Sequence, residues 1–331
     1  MTRLAIIGAG LAGLTAAILL RERAAHITIF EKSRGLGGRM ATRRADPFIF
    51  DHGAQFFTAK TPAFQAFIAP MIEAGVLQRW DARFTEFEGP RAVATRTWGA
   101  DYPHYVPSPG MNAMGAYLAR GLDIRKDQRI VKTRRDSKAG AWHLTDETST
   151  ESGPFDWLIC AIPAPQAVQI LPSCFAHALE NVPMRACFSL MLGFDTPLSL
   201  EFDAALVREM DISWISANSS KPGRKNPFCL LVHSTNRWAQ LHIDQNREEV
   251  MAYLLAETSR IIGPNVHKAR HKAVHGWRYA NIDKQEGPTC HTDLAQNLIA
   301  CGDWCLHGRI EAAFLSGLAA AQTIKDDPAS P

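Results

Sequence analysis

Thr2-Arg3-Leu4-Ala5-Ile6-Ile7-Gly8-Ala9-Gly10-Leu11-Ala12-Gly13 decides the fold of this chain. The apolar residues before Gly8 predict a short buried strand, the glycines a tight turn, and the apolar spacing that continues through Arg23 a helix. Gly8 permits the turn, Gly10 lets backbone N–H groups approach a pyrophosphate, and Gly13 lets helix and strand pack closely. The helix N-terminus at Leu11 and Ala12 adds positive dipole. A second predicted strand, Ile27-Thr28-Ile29-Phe30, delivers Glu31 about 20 residues beyond the glycines, where a ribose hydroxyl needs an acceptor.

The next stretch, Lys32-Ser33-Arg34-Gly35-Leu36-Gly37-Gly38-Arg39-Met40, is a second glycine-rich loop ending in a guanidinium, suited to closing over a bound pyrophosphate. The two elements together resemble the FAD-binding start of the flavin amine oxidase superfamily. That resemblance implies FAD, with Lys32, Gly38 and Arg39 in the lid.

Composition fits this class. A chain of 331 residues with 46% hydrophobic content buries a large core, and two interleaved domains are expected. The net charge of +3 gives no argument for nucleic acid. Seven cysteines without paired spacing point to a reducing cytoplasm rather than a disulfide framework. The first apolar stretch is the strand itself and no run reaches membrane-span length, so neither a signal peptide nor a membrane partner is expected. Cys301, Cys305 and His307 are too few soft ligands for a metal site, and none is expected.

After the lid, Phe48-Ile49-Phe50-Asp51-His52-Gly53-Ala54-Gln55-Phe56-Phe57 reads as an extended segment in which Gly53 and Ala54 are small enough for backbone to lie against a flat ring. It matches the superfamily's segment beside the isoalloxazine, which implies cofactor contacts at Gly53, Ala54, Gln55 and Phe56. A helix is predicted over 62–74 and another ending at Gly121. Residues 124–133 are expected as a strand pair, with Val131 meeting adenine through its backbone as the resemblance implies. The apolar run 155–161 predicts a buried parallel strand. The segment 183–285 predicts an inserted sheet with a covering helix over 247–262. Strand alternation groups Trp214, Ser216 and Asn218, then Leu231, His233 and Thr235, then His275, Trp277 and Tyr279, each on one face.

Asn297-Leu298-Ile299-Ala300-Cys301 predicts a last parallel strand, with Gly302 and Asp303 at its C-terminal end, where ligands of α/β sheets bind. A helix opening near Ile310 follows. Gly-Asp, a short loop and a helix rich in small residues form the superfamily's C-terminal flavin signature. It implies Asp303 on ribityl or near pyrophosphate, and the N–H groups of Glu311, Ala312 and Ala313 at the pyrimidine end of the ring.

The expected architecture is therefore α/β, a Rossmann-type FAD-binding domain carrying an inserted, mainly antiparallel sheet-plus-helix substrate domain. The FAD-binding domain is placed at 1–75, 105–170 and 286–331, the substrate domain at 76–104 and 171–285. Along nearly its whole length the chain resembles the bacterial renalases, through residues 33–40, Gly53-Ala54-Gln55, Val106-Pro107 with Gly110, Leu231-Val232-His233-Ser234-Thr235, Trp277-Arg278 and Cys301-Gly302-Asp303. That resemblance implies oxidation of 2- and 6-dihydro isomers of NAD(P)H by non-covalent FAD, with oxygen as second substrate and hydrogen peroxide as product. Asn218, His233 and Tyr279 would orient the nicotinamide, with Phe56 and Trp277 as walls. The alternatives are a flavin amine oxidase, against which 185–194 offers no lysine, and a non-catalytic FAD-binding protein, against which every dinucleotide motif is intact.

Overall fold

A computed structural model describes residues 2–24, 26–224 and 227–326. Strand Arg3–Ile7 is buried at every position after Arg3, as a parallel strand covered on both faces must be. It pairs in parallel with His26–Phe30 on one side and Trp157–Cys160 on the other. Asp123–Arg125 and Leu298–Ala300 extend the sheet in parallel, and His291–Asp293 closes one edge antiparallel. Helix Leu11–Leu20 is buried nearly all round. It packs so closely on helix Ile310–Asp326 that a Cβ on Gly317 would lie 2.3 Å from the Ala12 carbonyl oxygen. A three-stranded meander, Ile130–Arg135, Trp142–Asp146 and Glu151–Phe155, completes this unit.

The strand pair predicted over 124–133 is not a pair. Asp123–Arg125 joins the parallel sheet and Ile130–Arg135 the meander. Between them Asp127 takes φ +55° and Gln128 N–H donates to the Glu31 carbonyl, a turn that sends the two strands to different sheets.

The second unit is built on a seven-stranded sheet, in the order His271–Asn281, Arg185–Phe194, Phe228–Ser234, Ile212–Ala217, Ala204–Arg208, Arg83–Glu88, Arg91–Thr97. The pairing of Ala204–Arg208 with Arg83–Glu88 is parallel. Alternation splits the central strands cleanly. Phe188, Leu190, Leu192, Leu230, Val232 and Ile215 face helices Asn236–His242 and Arg247–Ile262 in one core, while Met191, Cys229 and Leu231 pack beneath Phe48 and Phe50 on the other face.

The two compact units are 1–39, 115–184 and 281–331, and 40–114 and 185–280. Residues 40–75 and 105–114, placed with the dinucleotide-binding domain on sequence grounds, therefore group with the inserted sheet. The cause is visible in strand Phe48–Asp51, whose phenylalanines fill that sheet's second core. The expected limits at 1 and 331 fall outside the described residues. Among the described residues no helix is long and apolar enough to cross a membrane.

Candidate active site

In the first unit Gly8 takes φ +104°, and a Cβ there would meet the Ala161 carbonyl oxygen at 2.9 Å, so the turn requires glycine. Gly10 caps helix Leu11–Leu20 without any side-chain hydrogen bond, and a Cβ on it would meet nothing within 4 Å. The first N–H groups of the helix thus have no side-chain cap, which leaves them to the backbone, water or a ligand. Buried Glu31 accepts from Ala9 N–H at 2.9 Å and Ser33 N–H at 2.8 Å. It ties the turn to the start of the lid, and its remaining lone pairs stay available to a ribose hydroxyl.

The lid lies on the turn. Gly37 N–H donates to the Ala9 carbonyl at 2.9 Å, Gly10 and Gly37 form a β-bridge, and a Cβ on Gly38 would approach the Gly10 Cα to 3.3 Å. Lys32 departs from the lid role, its Nζ donating to Gln166 at 3.5 Å on the exposed side. Arg39 binds Asp303 through both carboxylate oxygens, Nη1 to Oδ2 at 2.9 Å and Nη2 to Oδ1. This bidentate pair joins the two glycine-containing signatures directly. Gly302 N–H donates to Ser316 Oγ at 2.9 Å, fixing the turn before Asp303.

One predicted donor is lost at the last helix. Ala313 N–H donates to the Arg309 carbonyl at 3.2 Å as the first intrahelical bond, so only amides before it can reach a ligand. Val131 sits at a register shift and is 42% exposed. Cys301 and Cys305 are buried, and burial pushes both thiols up, that of Cys305 to about 12, so both are neutral packing groups.

In the second unit, residues 48–57 lie on the sheet face away from the helices, held by side chains from three strands or their ends. Ser189 Oγ and Trp277 Nε1 donate to the His52 carbonyl at 2.6 and 2.8 Å. Ser216 Oγ donates to Gln55 Oε1 at 2.9 Å, and Asn218 Nδ2 to the Ile49 carbonyl at 3.0 Å. The Gln55 amide closes the turn itself, Nε2 donating to the carbonyls of Asp51 at 2.6 Å and Gly53 at 2.9 Å.

Beneath this turn lies a charge cluster that sequence reasoning missed. Arg224 donates to Asp51 Oδ2 from Nε at 3.1 Å and Nη2 at 2.5 Å, while Thr42 Oγ1 and Met111 N–H occupy Oδ1. Lys221 Nζ stands 3.4 Å from Asp51 Oδ2 and 3.1 Å from Gln55 Oε1, its side chain fully buried. Burial alone would raise the Asp51 carboxyl, but Lys221 and Arg224 outweigh it and hold the group below the ordinary carboxylate value. Lys221 is pushed down to about 8 by burial, Asp51 opposing and Arg224 adding. One anion shared by two cations leaves this buried cluster with net positive charge.

Beside it are two ring groups. Trp277 stacks on His52 at 5.2 Å and His275 meets both edge-on. Phe56 packs among Trp98, His104 and Trp214 at 4.8, 5.0 and 5.5 Å. Phe56 and Trp277 thus belong to separate ring clusters rather than forming opposite walls of one. His233 pairs in register with Ser189. Burial pushes His52 and His233 down to about 4, with His275 adding at the first and Lys221 at the second, so both rings are neutral at pH 7. His52 Nδ1, His233 Nε2 and Trp214 Nε1 are buried without a protein hydrogen-bond partner.

Other predicted groups have different work. Asn218 is 0% exposed, with Nδ2 on the Ile49 carbonyl and Oδ1 accepting from Asp51 N–H at 3.4 Å, so it staples the segment and cannot orient a substrate. Gln55 is likewise saturated internally and offers a ligand its backbone alone. Thr235 leaves the His233 face to cap helix Asn236–His242, accepting from Trp238 N–H at 3.2 Å. Tyr279 is half-buried on strand His271–Asn281.

A 51-residue stretch is 45% identical to the 4,4'-diapophytoene desaturase (4,4'-diaponeurosporene-forming) of Staphylococcus aureus strain Newman, covering 15% of this chain and 10% of that enzyme. The match therefore spans a small part of that relative. A protein from Exiguobacterium sp. 255-15 assigned as a protoporphyrinogen oxidase superposes with a TM-score of 0.78 at 15% identity over 98% of both chains. Wild-type putrescine oxidase bound to putrescine gives 0.70 at 13% identity, covering 98% of this chain and 99% of that one. At such identities these likenesses carry the fold alone. The profile of an NAD(P)-binding Rossmann-like domain matches residues 6–70, and that of the flavin containing amine oxidoreductases matches 83–325. The glycine cradle, the lid pair and the sheet with its inserted unit are thus those of a flavin-dependent oxidoreductase, and the chain belongs to the flavin-containing amine oxidoreductase family.

Proposed function

We propose that the protein is an FAD-dependent oxidase of misreduced nicotinamide dinucleotides, the isomers of NAD(P)H carrying the extra hydrogen at ring position 2 or 6. The observation that carries this reading is the charge of the second unit's ring-lined face. His52 and His233 are neutral, and the carboxylate beside them, Asp51, is already saturated by Arg224, Thr42, Met111 and Lys221. A cationic amine would find no counter-ion there, whereas an uncharged dihydropyridine on a polyanionic dinucleotide suits neutral rings above a buried positive cluster.

The glycine turn, Glu31, Arg39 and Asp303 hold the dinucleotide of a non-covalently bound FAD. When bound, that cofactor accepts the hydride and passes both electrons to oxygen, so that dihydro-NAD(P), oxygen and a proton give NAD(P)+ and hydrogen peroxide. The chain's own part is positioning. The His233 and His52 rings lie beside the nicotinamide, and Trp277 backs it. A general base is not required, because the dihydropyridine is itself a hydride donor.

Anaerobic mixing with the chemically prepared isomers is expected to bleach the yellow protein within one turnover, while ordinary NADH and putrescine leave it oxidised. Bleaching by putrescine instead would establish the amine oxidase reading. His233→Ala is expected to slow the bleaching by about tenfold to a hundredfold without loss of bound flavin, from misplacement of the ring. An unchanged rate would remove His233 from the site.

A further inference from the structure

Lys221 is a buried ammonium that nothing in the packing requires. Asp51 is neutralised by Arg224, which donates to it from two nitrogens, and Lys221 stands farther off at 3.4 Å. Its nearer acceptor is Gln55 Oε1 at 3.1 Å. A methionine would fill similar volume without desolvating a charge, and Asp51 would keep Arg224 as its counter-ion. A lysine kept at this cost has a task beyond filling space.

We propose that Lys221 is a positioning residue of the oxidase, holding the Gln55 side chain and through it the turn from His52 to Ala54 that receives the reacting rings. This rests on the assignment of Gly53 and Ala54 as a cofactor contact. Gln55 makes four hydrogen bonds, accepting from Lys221 and Ser216 and donating to the carbonyls of Asp51 and Gly53. Only the bond from Lys221 is charge-assisted. The groups facing the ammonium are Asp51 from strand Phe48–Asp51, Arg224 from its own loop, His233 from strand Phe228–Ser234 and the Trp80 ring, 5.3 Å from Nζ to centroid. His233 is neutral above its value of about 4, and Lys221 and Arg224 together hold the Asp51 carboxyl below its ordinary value. Lys221, at about 8, is therefore the member of this set that titrates on the alkaline side of neutrality. When it loses its proton the Gln55 bond weakens and the cluster's surplus positive charge disappears.

A buried positive charge beside the turn favours the electron-rich form of the bound cofactor, so the decisive measurement is its midpoint potential, read against a reference dye between about pH 6.5 and 9.5. The flavin-loaded wild type, K221M and K221R are compared, with thermal melts alongside. The wild type is expected to break near pH 8. K221M should lack the break and lose about tenfold in the equilibrium constant for two-electron reduction, which is about 30 mV, while melting no lower than wild type at pH 7. K221R should keep the neutral-pH potential and lose the break, because its guanidinium does not titrate there. A K221M potential equal to wild type at every pH, or a wild-type profile featureless across pH 8, would overturn the proposal. Should K221M not load flavin, the wild-type and K221R profiles still decide. The titration uses no dihydronicotinamide, so failure of the isomers to bleach the protein would sink the substrate reading while leaving Lys221 judged on its own result.

Discussion

Asp51→Ala is expected to cost about 3–5 kcal/mol of folding stability, the penalty for leaving buried charge uncompensated. Five donors from Thr42, Met111, Lys221 and Arg224 converge on this one carboxylate. Removing it leaves Lys221 and Arg224 facing each other with their side chains at 0% and 2% exposure. Chemical denaturation checks the figure, and a midpoint unchanged from wild type would show that water reaches the cluster. The double variant D51A/K221M is expected to regain part of the loss, since one buried cation then remains instead of two. The pH dependence follows the same logic. The folded-state pKa of Asp51 is lowered, so its contribution is present above the unfolded value near 3.8 and is lost as pH falls through the folded value.

Gly13→Ala is expected to abolish flavin binding and to lower the melting temperature as well. The added methyl would sit 2.1 Å from the Gly8 carbonyl oxygen and 3.2 Å from Ala161 Cβ, backbone and core that cannot swing aside. Gly10→Ala is the informative contrast. Its methyl meets nothing within 4 Å, so the apoprotein should melt as wild type while the flavin absorbance carried per protein falls, because the methyl occupies the space a pyrophosphate needs. Equal melting losses in the two variants would mean that Gly10, too, serves packing and not the ligand.

The contrast between these two experiments parallels what could be read from the amino acids. The glycine turn, Glu31 and the last strand were legible because each is a local pattern, a strand running into a turn and helix within a few residues. The Asp51 cluster was not, because Lys221 and Arg224 lie 170 and 173 positions away and no periodicity marks them. One clue was present. An acid closing the apolar run Phe48-Ile49-Phe50 must find a cation once buried. Alternation correctly put Trp214 and Ser216 on one face, but it cannot say what covers that face. Asn218 therefore read as a substrate contact when it is a staple for the Ile49 backbone. Thr235 failed for a different reason, since its hydroxyl served a helix N-terminus better than a strand.

The order of pairing in the first sheet bears on how the protein is made. Strand Arg3–Ile7 and its parallel neighbour His26–Phe30 are made before the other neighbour, Trp157–Cys160, some 150 residues further on, and before the next strand out, Leu298–Ala300. The second unit has all its strands once residue 280 has emerged. Vectorial synthesis thus completes the inserted sheet before the nucleotide-binding sheet, whose strands His291–Asp293 and Leu298–Ala300 follow residue 280. Nascent chains stalled before Asp303 lack the partner of Arg39, so the pair that ties the lid to the last signature forms only after residue 303 has emerged.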